Sequence, residues 1–224
     1  MSFRANRAGV YRIEVELPGW ELPWIVSNPI YVLNPDAAET RVRSAAVPPP
    51  SAPGSPLRLL DDFEGETTFQ LASDVSTSVD ATYRAAGDGI DGGTALRLAF
   101  ELGPQTEEHP FPYAAFVSMG PRDLSGAAGL ALAVRADGPV RLFVQVRDRN
   151  PDSADGTEWW FASIKAGPEW RQVAVPFDRF RTRDPASDGR LDLDRVEGLV
   201  LLVDRGALHP GHRGVIWIDD LAVY

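Results

Sequence analysis

The sequence predicts an all-β protein, an antiparallel β-sandwich of the jelly-roll kind, preceded by a short β-hairpin tail and a Pro-rich linker. Three observations carry that expectation. Runs such as VRLFVQVRD (140–148) and EWWFASIKA (158–166) alternate apolar and polar residues with the period of a strand that buries one face. Clusters of Gly, Asp and Pro separate such runs at fairly even spacing. Between them no long amphipathic helical pattern occurs, which an α/β fold would require.

In chain order, residues 9–17 (GVYRIEVEL) and 24–33 (WIVSNPIYVL) read as two strands around the turn PGWELP. A hairpin is marginal alone, so residues 1–34 read as the remnant of an upstream domain. Residues 35–57 contain PPPSAPGSP, with little to bury and a preference for extended polyproline II, and read as a linker. From residue 58 to 224 the pattern is continuous sandwich. Its strands are expected at 57–63, 94–102, 114–120, 129–137, 140–148, 158–166, 170–177, 198–205 and 214–224, with one helical turn at 192–198. The stretch 158–180 is the most aromatic part. It reads as strands Glu158–Lys165 and Trp170–Val175 joined as a hairpin by Ala166-Gly167-Pro168-Glu169, with Pro176 ending the ladder because it has no N–H to give. Trp160, Ala162 and Ile164 share one face of the first strand.

The composition, 44% hydrophobic and 24% charged, is that of a globular protein with a sizeable core. A net charge of −10 disfavours a grip on nucleic acid phosphates. Residues 61–224 carry −11 and residues 1–60 carry +1, so the sandwich suits neutral ligands or cations. With no cysteine, disulfide and thiol chemistry are excluded. No apolar run is long enough to cross a bilayer, and the first twenty residues lack the apolar stretch of a signal peptide.

Several motifs read as structure rather than chemistry. GDGIDGG (87–93) matches a dinucleotide fingerprint literally, but TALRLAF after it is a strand, so it reads as a turn needing positive φ. His109, His209 and His212 lack zinc spacing, and Ser125 lacks a nucleophile elbow. Asp148, Asn150 and Asp152 begin a calcium-loop pattern that fails at Ser153, where glycine is needed, and at Glu158, one place early. A solvated hairpin loop is the expected alternative. On the strand 140–148, Phe143, Gln145 and Arg147 share the face opposite Leu142, Val144 and Val146. Planar hydrogen-bonding groups beside an aromatic platform suit a sugar ring, which offers an apolar C–H face and a rim of hydroxyls. Arg147, Gln145, Trp159, Trp160, Tyr113 and Arg97 are the candidate ligand-binding residues; buried tryptophans and solubilising arginines would give the same pattern. No acid–base constellation stands out, so an enzyme is not expected.

The order LDDFEG, ALRL, DLSG, VQVRD, EWWFASI, EWRQVAVPFDRF and VIWIDDLAVY resembles a galactose-binding-like jelly roll over residues 58–224. It is most similar to family 11 carbohydrate-binding modules and to the complex I intermediate-associated protein 30 family. Phe69 stands where those patterns place a tryptophan. The resemblance implies a non-catalytic module that binds an oligo- or polysaccharide. It also implies a structural Ca²⁺ held by a glutamate like Glu64 and an aspartate like Asp219, with Asp62, Asp220 and carbonyls of the loop 87–94 nearby; exposed acids at strand ends would read the same. The alternative it implies is a protein-interaction or assembly module. Residues 1–34 resemble the C-terminal β-tail of bacterial PHP-type metallohydrolases, which makes the accessory part of a larger hydrolase, joined to an upstream domain, the expected setting.

Overall fold

The alternating runs resolve into two sheets that share one core. A computed structural model of the chain describes residues 7, 9–11, 14, 15, 25, 26, 30–32, 58–204 and 211–224. The expected linker and the residues 205–210 lie outside them, as does His209. By contacts the chain divides into two units, Met1–Pro49 and Pro50–Tyr224.

In the first unit, β1 (Gly9–Tyr11) pairs antiparallel with β4 (Ile30–Val32), and β2 (Glu14–Val15) with β3 (Ile25–Val26). These strands fall inside the two runs read as a hairpin.

The second unit is built from β5 (Arg58–Asp61), β6 (Gln70–Ser73), β7 (Ser78–Val79), β8 (Arg84–Ala86), β9 (Thr94–Glu101), β10 (Tyr113–Arg122) and β11 (Gly129–Ala136), followed by β12 (Val140–Arg149), β13 (Thr157–Ala166), β14 (Arg171–Pro176), β15 (Arg181–Thr182), β16 (Val196–Asp204) and β17 (Arg213–Val223). A six-stranded sheet has the order β15-β13-β12-β16-β10-β6. A seven-stranded sheet runs β14-β11-β17-β9-β7, with β5 on β17 and β8 on β9. All pairings are antiparallel, and the described helical turns are 3₁₀, at Phe177–Arg179 and Leu193–Arg195.

Alternation sets the core. Leu142, Val144 and Val146 of β12 and Trp160, Ala162 and Ile164 of β13 point between the sheets, against Leu96 and Leu98 of β9 and Ile216 and Ile218 of β17. Each large apolar side chain buried there contributes roughly 1.5–3 kcal/mol. The second strand of the expected hairpin behaves differently. β13 pairs with β12 and β15, whereas β14 pairs with β11, so the turn 166–170 carries the chain from one sheet to the other. A period of two shows which residues are buried, not which strand lies alongside. The polar strands β6, β7, β8 and β15 were not expected; each is four residues or fewer and lacks an apolar run.

Candidate functional site

The outward face of the six-stranded sheet can be built row by row from the register. One row runs Met119–Gly198–Arg147–Trp159 across β10, β16, β12 and β13. The next is Gln70–Val117–Val200–Gln145–Phe161–Arg181, and a third is Ala72–Ala115–Leu202–Phe143–Ser163. The middle of these rows is apolar. Ala115, Val200 and Leu202 are buried on this face, with Tyr113, Val117 and Phe143 packed against them as a cluster separate from the main core. Cross-strand neighbours of this kind help to bury one another.

Polar planar groups surround that floor. The Arg147 guanidinium lies 3.8 Å from the centroid of the Trp159 ring, and Trp159 is 43% exposed. Its indole N–H donates to Thr157 Oγ1 at 3.1 Å. The other end of the guanidinium reaches Met119 Sδ at 4.0 Å. Gly198 permits this crossing, since a Cβ there would stand 2.6 Å from the same sulfur. Burial holds the Arg147 guanidinium below its ordinary pKa, and its Nε has no hydrogen-bond partner. A half-desolvated arginine beside an exposed tryptophan can stack on a sugar face and offer its terminal N–H groups to the hydroxyls.

Of the six sequence candidates, Arg147, Gln145, Trp159 and Tyr113 lie on this face. Trp160 does not: adjacent residues of a strand point to opposite sides, and Trp160 is 6% exposed in the inter-sheet core. Arg97 does not either. It belongs to β9 of the other sheet, next to Trp217, and is tied to Asp80 at 2.8 Å. Sequence reasoning missed the floor itself. Its signal was the uninterrupted apolar run GLVLLV of β16, since a strand buried on both faces shows no alternation.

The acids expected to hold a metal gather elsewhere, at one edge of the seven-stranded sheet where β5 meets β17. Asp62, Glu64, Ile90, Asp91, Gly93, Asp219 and Asp220 line a cavity of about 340 Å³. The loop 87–93 closes it, turning at Gly87 and Gly92, both with φ near +82°. Ile90 N–H donates to Asp219 Oδ2 at 2.9 Å, Asp220 N–H to Asp219 Oδ1 at 2.8 Å, and Thr94 N–H to Glu64 Oε1 at 2.7 Å. Two non-glycine residues adopt left-handed backbone here, Phe63 at φ +57° and Asp220 at φ +48°, a conformation that costs energy at bulky residues. Burial pushes the Asp219 carboxyl above its ordinary range, against the lowering by the two N–H groups, and Asp220 and Glu64 push it further. Burial likewise raises Asp220, followed by Asp91, Asp62 and Glu64. Among the described residues no three acid or histidine side chains meet tightly enough to form a closed metal cluster; these acids ring a cavity instead.

The sequence matches the family model described as carbohydrate binding domain (family 11) over residues 44–221. No curated protein is matched. Among solved structures, the chain is similar to the family 11 module of the cellulosomal cellulase Lic26A-Cel5E of Clostridium thermocellum, with a TM-score of 0.57 and 22% identity, covering 76% of this chain and 95% of that one. It is also similar to a family 11 module from Clostridium thermocellum in complex with a β-1,3-1,4-mixed-linked tetrasaccharide, with a TM-score of 0.59 and 22% identity, covering 75% and 94%. These likenesses establish the sandwich fold.

Proposed function

The chain belongs to the family 11 carbohydrate-binding domains, and we propose that it holds a polysaccharide, without acting on it, on the outward face of its six-stranded sheet. The observation that carries this reading is the Arg147–Trp159 stack beside the apolar floor of Ala115, Val200 and Leu202. Trp159 and Phe143 offer surfaces for the C–H faces of sugar rings, and Arg147, Gln145 and the Tyr113 hydroxyl offer hydrogen bonds to their rims. These groups bind and orient; none of them forms a nucleophile–base pair. A β-1,3-1,4-mixed-linked polysaccharide is the first ligand to try. As part of a longer chain, the module targets a linked hydrolase by raising its effective concentration at the polysaccharide.

The residues around the edge cavity fit a structural Ca²⁺. The donor set is entirely hard oxygen, and crowded carboxylates with raised proton affinity are relieved by a divalent cation. The cradle is also fitted to the acids. A Cβ on Gly93 would collide with Glu64 Oε1, and one on Gly89 would stand 2.7 Å from Asp219 Oδ2. Glu64 and Asp219 would hold the ion, with Asp62 and Asp220 alongside, and its role is to fasten the first strand of the sandwich to the last.

The test is electrophoresis through native gels containing the mixed-linked polysaccharide or other soluble polysaccharides. Retardation of the wild type, lost in Arg147→Ala with the melting temperature kept, is the expected outcome. Equal mobility of the wild type with and without every polysaccharide overturns the proposal.

A further inference from the structure

A second acidic site lies at the end of β12 and β13, far along the chain from the residues assigned to the first ion. Asp148 of β12 stands directly opposite Glu158 of β13. Both have the parity of Val146 and Trp160, so two carboxylates occupy core-facing positions at the end of the sheet. Asp148 is 2% exposed and Glu158 1%. Like charges facing each other across a ladder destabilise a sheet, and burial away from water makes them costlier.

Half of their oxygens are satisfied. Asp192 N–H donates to Asp148 Oδ2 at 2.7 Å, and Asn150 Nδ2 donates to Glu158 Oε2 at 3.1 Å. The other two, Asp148 Oδ1 and Glu158 Oε1, are buried without a hydrogen-bond partner. Buried polar atoms are nearly always paired, so two orphaned carboxylate oxygens call for a proton or a cation beside them. Arg190 and Arg195 both pair with Asp192, and among the described residues no arginine, Arg149 included, forms an ion pair with Asp148 or Glu158. A cavity of about 190 Å³ opens here, lined by the two acids with Asn150, Ala186, Asp188 and Asp192, and by Arg149, Arg190 and Arg195. The stretch that begins a calcium-loop pattern at Asp148 folds instead as a tight hydrogen-bonded turn over 150–156. Asn150 N–H bonds to Gly156 O at 3.0 Å, and Glu158 arrives across the ladder instead.

We propose that Asp148 and Glu158 hold a second divalent cation of the calcium type, completed by neutral oxygens such as the Ala186 carbonyl. Two charged and several neutral hard oxygens are what Ca²⁺ selects, and the ion would pin the 184–192 segment to the end of the six-stranded sheet. Burial, with Glu158 and Asp192, pushes the Asp148 carboxyl up to about 6, consistent with a site that needs positive charge.

The test is calorimetric titration of the chelator-stripped full chain with CaCl₂, comparing the wild type, the double variant Asp148→Asn/Glu158→Gln and the control Glu64→Gln/Asp219→Asn. The wild type is expected to bind two ions, and each double variant to lose a different one. Glu158→Gln alone, which retains Asp148, is expected to weaken one ion at least tenfold, and it serves if the double variant does not fold. Calcium binding by Asp148→Asn/Glu158→Gln, or by Glu158→Gln alone, that is unchanged in number and affinity overturns this proposal, as does a wild type that binds no calcium. An unchanged Glu64→Gln/Asp219→Asn overturns only the first ion.

Discussion

Two arginine–tryptophan stacks lie on the outer faces of the two sheets, Arg147 on Trp159 and Arg135 on Trp217, and they differ in what surrounds them. The distances are alike, 3.8 and 4.2 Å from guanidinium carbon to ring centroid. Around Arg135 the surface is closed. Asp88 pairs with the guanidinium at 3.5 Å and accepts the Trp217 indole N–H at 2.9 Å, and Trp170 lies 5.3 Å away on the other side. Around Arg147 it is open. Among the described residues no ion pair reaches this arginine, and Trp159 is exposed beside an apolar floor; the Nε of both arginines is unpartnered and does not separate the two. The same pair of residue types fixes a loop to the seven-stranded sheet in one place and is left ready for a ligand in the other. The difference teaches that a cation–π stack identifies a binding surface only where no acid of the chain already engages its two members.

The contrast is sharpened most by the residue next to Trp159. Trp160→Ala empties a core position and is expected to lower stability by about 3–5 kcal/mol, read as a fall in melting temperature. A melt within a degree of the wild type would mean that the two tryptophans had been assigned to the wrong sides.

The inward neighbours of Arg147 and Trp159 give the next effect. The folded-state value of Asp148, about 6, lies above its ordinary 3.8, so between these values the native state binds more protons than the unfolded chain. In chelator-treated protein, stability is therefore expected to rise as pH falls through 6 and to gain on the order of 2–3 kcal/mol by about pH 4. Saturating calcium should abolish that rise. A chelated protein that melts lower at pH 5 than at pH 7 would contradict the assignment of a buried acid pair.

Trp217→Ala removes a stack and a hydrogen bond from the closed cluster. About 2 kcal/mol of stability should be lost, with polysaccharide binding kept. Binding that weakens with it would spread the ligand over both sheets. Smallest of all is Arg97→Ala, which breaks an exposed pair with Asp80 and should leave polysaccharide retention as in the wild type. Loss of retention there would restore Arg97 to the site.

Much of this was legible in the chain. The alternation in β12 and β13 separated Gln145 and Arg147 from Val144 and Val146 without any structure, and the turn reading of 87–93 follows from its glycines. The partnership of strands was not legible. Arg97 has a surface parity, as Arg147 does, yet sits in the other sheet, because pairing is decided by contacts distant in sequence. The turn after β13 could not announce that it changes sheets. Asp148 and Glu158 read as ordinary solvated acids because their burial depends on the 184–192 segment folding back over them, as the Asp192 to Asp148 hydrogen bond records.

The most direct test of the central claim is titration of the mixed-linked polysaccharide into Trp159→Ala and Trp217→Ala, measured calorimetrically beside the wild type. Trp159→Ala should bind at least about tenfold more weakly, roughly 1.4 kcal/mol, while losing little stability, and Trp217→Ala should bind as the wild type does. Wild-type affinity in Trp159→Ala would contradict the assignment of the ligand to this face.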